Sequence, residues 1–201
     1  MSRPASTTLN PQGAPAPGAA TRYTGFAIAL HWLLAGAILC GFIMGLQMAD
    51  APPSPVRVRW INYHKWIGLT VLMLSVVRLL WRLSHTPPPM PDSMPPWQRS
   101  AARWAHRLLY ACFFVIPLIG WAYSNAFGFH VSYLGLFQLP DLVAKDKELA
   151  KVLLQVHATL AWTLAVLVGL HAAAALKHHW VDRDDLLLRM SLRPAGRRGA
   201  R

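Results

Sequence analysis

The chain has 201 residues, 54% of them apolar or aromatic and only 14% charged, which excludes an ordinary soluble domain, where about a quarter of residues carry charge. Its 20 Lys and Arg against 8 Asp and Glu leave a net charge of +12 and a pI of about 10.7. A nucleic-acid binder would gather that charge on one folded face, whereas here basic residues bracket long uncharged runs, so a lipid bilayer is the expected partner and nucleic acid is not.

Residues 1–20 are rich in Pro, Ala, Thr and Gly and are expected to form a disordered tail. No short apolar stretch with a small-residue cleavage site follows, so no removable signal peptide is expected. Four apolar runs come next, each near the roughly 20 residues that cross a hydrocarbon core about 30 Å thick. The first spans about Phe26 to Met48 without a charge, and the second about Tyr63 to Trp81. Lys65 and Arg78 lie near the ends of the second, where long basic side chains snorkel to headgroups. The third spans about Leu108 to Phe127 and contains Pro117, which a membrane helix tolerates when its neighbours satisfy the freed carbonyl. The fourth, about Val152 to Leu176, has no Asp, Glu, Lys or Arg. Between the second and third, His85 to Pro96 is proline-rich and reads as a stiff linker, and Arg193 to Arg201 reads as a basic tail lying on anionic lipid. The domain expected is therefore residues 21–192, an all-α membrane protein built as a bundle of four transmembrane helices.

Basic residues set the orientation. With the N-terminus in the cytoplasm that side receives 14 of the 20 Lys and Arg, and the opposite side receives Arg57, Arg59, Lys65, Lys145, Lys147 and Lys151. The positive-inside rule then places both termini in the cytoplasm, and Tyr23, Trp60, Trp104, Trp121 and Trp180 fall where an interfacial belt would lie. Cys40 and Cys112 fall inside spans, with no Cys-x-x-Cys-His for covalent haem attachment, and read as small packing residues.

The chemistry lies in the histidines, because an imidazole inside hydrocarbon is costly and needs a purpose. His157 and His171 are 14 residues apart on the fourth span, which brings them to within about 40° of one face and about 21 Å apart in depth. His31, inside the cytoplasmic end of the first span, matches the depth of His171. His64, at the periplasmic opening of the second, matches His157. Two neutral imidazoles on one iron give a six-coordinate haem suited to electron transfer, so two b haems are expected: His31 with His171 on the cytoplasmic side, and His64 with His157 on the periplasmic side. His178, seven residues beyond His171 on nearly the same face, suits a proton donor beside a quinone. His106, near the start of the third span, is placed to hydrogen-bond a haem propionate, and His85 and His130 read as solvated loop residues.

Several stretches carry a resemblance. They are Ala29-Leu30-His31-Trp32, then His64 with Gly68 and Val77-Arg78-Leu79-Leu80, Pro117-Leu118-Ile119-Gly120, His157-Ala158-Thr159-Leu160, and the run from Gly169 through His171 to His179, followed by Leu187-Leu188-Arg189-Met190. Over about residues 21–192 the chain resembles the prokaryotic di-haem cytochrome b561 family. The resemblance implies a four-helix bundle with bis-histidine haems, a bacterial inner-membrane location, and exchange of electrons with the quinone pool. Because some members are superoxide oxidases, it also implies superoxide as a small anionic donor and ubiquinone as acceptor. Arg57, Arg59 and Lys65, close to His64 in sequence, would then draw the anion in. Two other readings remain: a haem-bearing anchor subunit relaying electrons from a larger dehydrogenase partner, and a histidine-lined transporter without haem.

Overall fold

The computed structural model describes residues 22–91 and 94–192. The expected N-terminal tail and the basic tail from Arg193 lie outside the described residues. Four long helices dominate: α1 (Gly25–Asp50), α2 (Pro55–Ser84), α3 (Pro96–Phe127) and α4 (Lys147–Lys177). All four are long and apolar enough to cross a membrane. They run up and down with short connections. The linker 85–95 sits at the end where α1 begins and α4 finishes, here the linker side; residues 128–146 sit at the opposite, hairpin side.

Each helix outruns its apolar stretch, because local chemistry rather than hydropathy sets its ends. Ser54 caps α2 by accepting from the Arg57 N–H at 3.1 Å, with Pro55 in the first turn. Thr24 caps α1 through the Ala27 N–H, and Asp146 caps α4 by accepting from Glu148 and Leu149 at 2.9 and 3.1 Å. α3 starts at Pro96, 12 positions before the expected Leu108, and closes on Gly128, whose φ of 105° is the left-handed cap glycine allows. His64 consequently does not open α2 as expected. It lies nine positions inside Pro55, and His157 lies ten positions inside Lys147, so their depths still agree.

α1 packs along α2, α4 along α3, and α2 along α3; α4 faces α1 and α2 across a wider seam. Ring contacts bridge that seam at three levels: His31 with His171, Phe42 with Trp162, and His64 with His157. The buried cluster of Leu109, Cys112, Ile116 and Leu164 fills the middle, with Ile38, Phe113, Leu160 and Leu167 against it. Leu164 is midway between His157 and His171, so the apolar layer separates the two histidine levels. Cys112 is the small packing residue expected, while Cys40 is exposed on the bundle surface.

The α3–α4 connection is a small structure of its own, with β1 (Ser132–Tyr133) antiparallel to β2 (Phe137–Gln138). Asn125, 4% exposed, ties it down: its amide donates to Asp141 Oδ1 at 2.7 Å and its oxygen accepts from the Leu142 N–H at 3.0 Å. Asn125→Ala removes both bonds and leaves the Leu142 N–H without its acceptor, a loss of about 1–2 kcal/mol for the two together. Limited proteolysis should show faster tryptic cleavage at Lys145 in the variant, with the four helices intact by circular dichroism.

Candidate functional site

On the hairpin side, the centroids of His64 and His157 are 6.1 Å apart with planes at 78°. His64 Nδ1 donates to the Gly41 carbonyl at 3.0 Å, and His157 Nδ1 to the Ile116 carbonyl at 3.1 Å. A ring whose Nδ1 proton is held by a carbonyl has its Nε2 lone pair free for a metal, the usual outer-sphere arrangement for a ligating imidazole. Gly120 makes room for this: a Cβ there would meet His157 Cε1 at 2.9 Å. One turn below His64, a Cβ at Gly68 would meet nothing within 4 Å, which leaves the α2 wall bare beside the ring.

On the linker side, His31 and His171 are 6.2 Å apart, centroid to centroid, at 67°. His31 lies six positions inside Gly25 and His171 six positions before Lys177, so the depth match read from the sequence is present. His106 of α3 stands beside His171 at 5.4 Å, making this level a trio. Arg78, expected to snorkel, instead turns inward and donates to the Ala27 carbonyl at 3.1 Å. That carbonyl lies one turn before His31, so the guanidinium is held near the level of the linker-side rings. Satisfying a carbonyl and a polar cluster inside the bundle outweighs reaching for headgroups. Ser75 is 11 positions past His64, hence within about 20° of the same α2 face; it is fully buried and its hydroxyl has no hydrogen-bond partner among the described residues.

The spacings fit a bis-imidazole metal. With a metal–nitrogen bond of about 2 Å and about 1.1 Å from nitrogen to ring centre, two imidazoles on opposite sides of one metal have centroids about 6 Å apart. Both cross-seam pairs have that span. The 5.4 Å contact of His106 with His171 is shorter than that span.

His178 follows α4 in a π-turn, His178–Asp182. Its ring is only 14% exposed, and Nδ1 contacts Asp184 Oδ2 at 2.7 Å and Asp182 Oδ2 at 3.1 Å. The backbone reverses at Arg183, φ 53°, to deliver Asp184, whose other oxygen accepts from the Leu186 N–H at 3.0 Å. Neither carboxylate was singled out in the sequence, where Asp182-Arg183-Asp184-Asp185 reads as a solvated charged turn. The segment after it folds under the linker side: Trp32 Nε1 donates to the Met190 carbonyl at 2.9 Å, Arg22 donates to the Ser191 carbonyl, and Arg189 donates to the Pro89 carbonyl. His85 and His130 are exposed as expected, but His85 stacks on Trp81 at 3.7 Å and His130 pairs with Asp141 at 2.9 Å.

Of the basic residues near His64, Arg57 donates through Nε to the Met48 carbonyl at the end of α1, 2.9 Å away, and Lys65 lies over the Phe129 ring at 5.6 Å. Arg59 is exposed.

Residues 22–191 match the prokaryotic cytochrome b561 family. Among curated relatives, the chain is 37% identical to Cytochrome b561 homolog 2 of Escherichia coli, over 84% of this chain and 90% of that protein. It is 31% identical to Cytochrome b561 homolog 1 of the same organism, over 84% and 96%. The "Probable superoxide oxidase CybB" of Yersinia pestis is 29% identical, over 87% and 98%. With four membrane-crossing helices and a match over nearly all described residues, the chain belongs to the prokaryotic cytochrome b561 family and is a b-haem electron-transfer protein of the bacterial membrane.

Proposed function

We propose that this chain holds two b haems, one between His31 and His171 and one between His64 and His157, and works as a superoxide:ubiquinone oxidoreductase of the inner membrane with both termini cytoplasmic. The observation that carries the reading is the pair of cross-seam imidazole contacts, 6.2 and 6.1 Å between centroids, set on one stripe of α4 at two depths. The relative named a probable superoxide oxidase supports the donor, and the surplus of basic residues on the linker side supports the orientation.

Six-coordinate haems supply reversible one-electron storage with no open position at the metal. The protein's own groups do the rest. The Gly41 and Ile116 carbonyls orient the periplasmic rings. His106 would be placed to hydrogen-bond a propionate of the cytoplasmic haem, and Arg78 would supply compensating charge at the same level. Two superoxide anions each give up one electron at the periplasmic face and leave as dioxygen; ubiquinone at the cytoplasmic face takes two electrons and two protons. His178 is the proton donor of that acceptor site, its Nδ1 fixed by Asp184 and Asp182 so that Nε2 is the atom left to face the quinone.

The purified chain alone, in liposomes with ubiquinone and a superoxide source, should form ubiquinol. A chain that only relays electrons from a dehydrogenase would not.

Substitutions should sort by pair. His64→Ala or His157→Ala should each remove one haem and leave the other, and His31→Ala or His171→Ala should remove the second, read from pyridine haemochrome content and low-temperature spectra. Loss of the same haem from His64→Ala and His31→Ala would refute the pairing.

His178→Ala should retain both haems and slow ubiquinone turnover by about one to three orders of magnitude, near the usual contribution of a general acid. Normal turnover would leave His178 with only its ion pairs.

Steering makes the superoxide rate fall with ionic strength, by about ten-fold or more if the periplasmic charges dominate. Arg59→Gln is the clean charge removal, since Arg57 also closes the end of α1. Stopped-flow reduction by superoxide should slow in that variant with an unchanged spectrum; a rate indifferent to salt and to Arg59 would point to a different donor.

A further inference from the structure

The hairpin between α3 and α4 turns through Leu134 and Gly135, with φ of 53° and 73°, and the Leu136 N–H donates to the Tyr133 carbonyl at 2.9 Å. Two-residue turns with positive φ at both central positions ordinarily take Asn, Asp or Gly. A leucine in the left-handed region is strained and is kept only where its side chain has a use. Water at the tip would give it none.

The hairpin does not stand above the bundle. Trp66 Nε1 donates to the Ser132 carbonyl at 2.9 Å, and the Tyr133 hydroxyl meets Thr70 Oγ1 at 3.0 Å, Thr70 itself donating to the Trp66 carbonyl. Trp66 and Thr70 lie two and six positions further along α2 than His64, about 3 and 9 Å deeper into its apolar run. At that depth the large apolar side chains left outward are Leu134, Leu136 and Phe137, which are 49%, 77% and 56% exposed, with Ser132 and Gln138 exposed where the strands meet the rest of the connection. Phe127 and Phe129 continue the patch, stacked at 5.6 Å and also exposed. Polar groups collect at the root instead, where Asn125, His130, Asp141 and Lys145 line a cavity of about 460 Å³.

The backbone is prepared for the same surroundings. Ser132 pairs with Gln138 and Tyr133 with Phe137 in the ladder, the Leu139 N–H donates to the Val131 carbonyl at 2.8 Å, and the Ser132 carbonyl takes the Trp66 N–H. Phe129 is paired through both its N–H and its carbonyl, to Ser124. Backbone meets lipid only when its polar groups are satisfied within the protein.

We propose that the 132–138 hairpin, together with Phe127 and Phe129, is embedded in the bilayer at the boundary of headgroups and acyl chains on the hairpin side, its binding partner being lipid. The hairpin is anchored on α2 through Trp66 and Thr70, and its strained apolar tip, its depth and the paired backbone of its strands all follow from that placement. The hairpin then acts as a float that fixes α2 at the level of His64.

The haem-loaded protein in phosphatidylethanolamine–phosphatidylglycerol vesicles can be labelled with a diazirine carried on a lipid acyl chain, and separately with a water-soluble diazirine, and the adducts mapped by mass spectrometry. The acyl-chain probe should mark residues 134–137 to within about three-fold of Leu39, which is 61% exposed in the middle of α1, and the water-soluble probe should mark them at least ten-fold less than Asp141. Water-soluble adducts on the tip would overturn the proposal. So would a tip marked by neither probe, since a second copy or another protein would then cover it. Leu136→Asp with Phe137→Asp gives an independent reading: acyl-chain adducts on 127–138 should be lost while the haem spectrum stays the same, and adducts that persisted would also count against it.

Discussion

An imidazole inside hydrocarbon must be answered by something, and this bundle answers four of them by setting two pairs across one seam. The remaining packing accommodates that arrangement. α1 lies close on α2 and α3 close on α4, so the contact spared is the one between α4 and its two partners, where the rings meet 6.2 and 6.1 Å apart. Glycine at 120 lets α3 lie against His157 without a side chain in the way. The apolar cluster around Leu164 occupies only the interval between the two levels.

The two levels are held by different means. On the hairpin side each ring is fixed by a helix carbonyl, Gly41 on α1 and Ile116 on α3, so the rings take their orientation from helix backbone. On the linker side the ring neighbours are His106 and the Arg78 guanidinium. Positive charge near a metal favours its electron-rich state, and charge inside a low-dielectric bundle acts more strongly than at a surface. One end of the bundle is therefore organised by dipoles and the other by a full charge.

The spans and the histidine pairing were legible because they depend on one-dimensional regularities: hydropathy over about 20 residues, and 14 positions between His157 and His171 on a helix of known pitch. What escaped depends on contacts between distant segments. Arg78 looks interfacial until its distance to Ala27 is known. His178 reads as a proton donor from its position alone, but its carboxylate partners appear only once the π-turn and Arg183 bring Asp184 back onto it. The helix ends were misjudged for a more local reason: Ser54 and Pro55 announce a helix start in polar sequence, which a search for apolar runs passes over. The hairpin carried only the weak signal of a Leu134-Gly135 pair between short apolar segments.

Both ring pairs include a residue of α4, which follows the other three helices in chain order. Until it inserts, His31 and His64 sit in lipid opposite no partner, and the three earlier helices have no complete site to offer. Assembly of the two ring pairs thus waits on the arrival of one helix. The segment that follows joins Met190 to Trp32 and Arg189 to Pro89, so it ties the end of α4 to the first helix and to the linker and closes that side of the bundle over the ring pair.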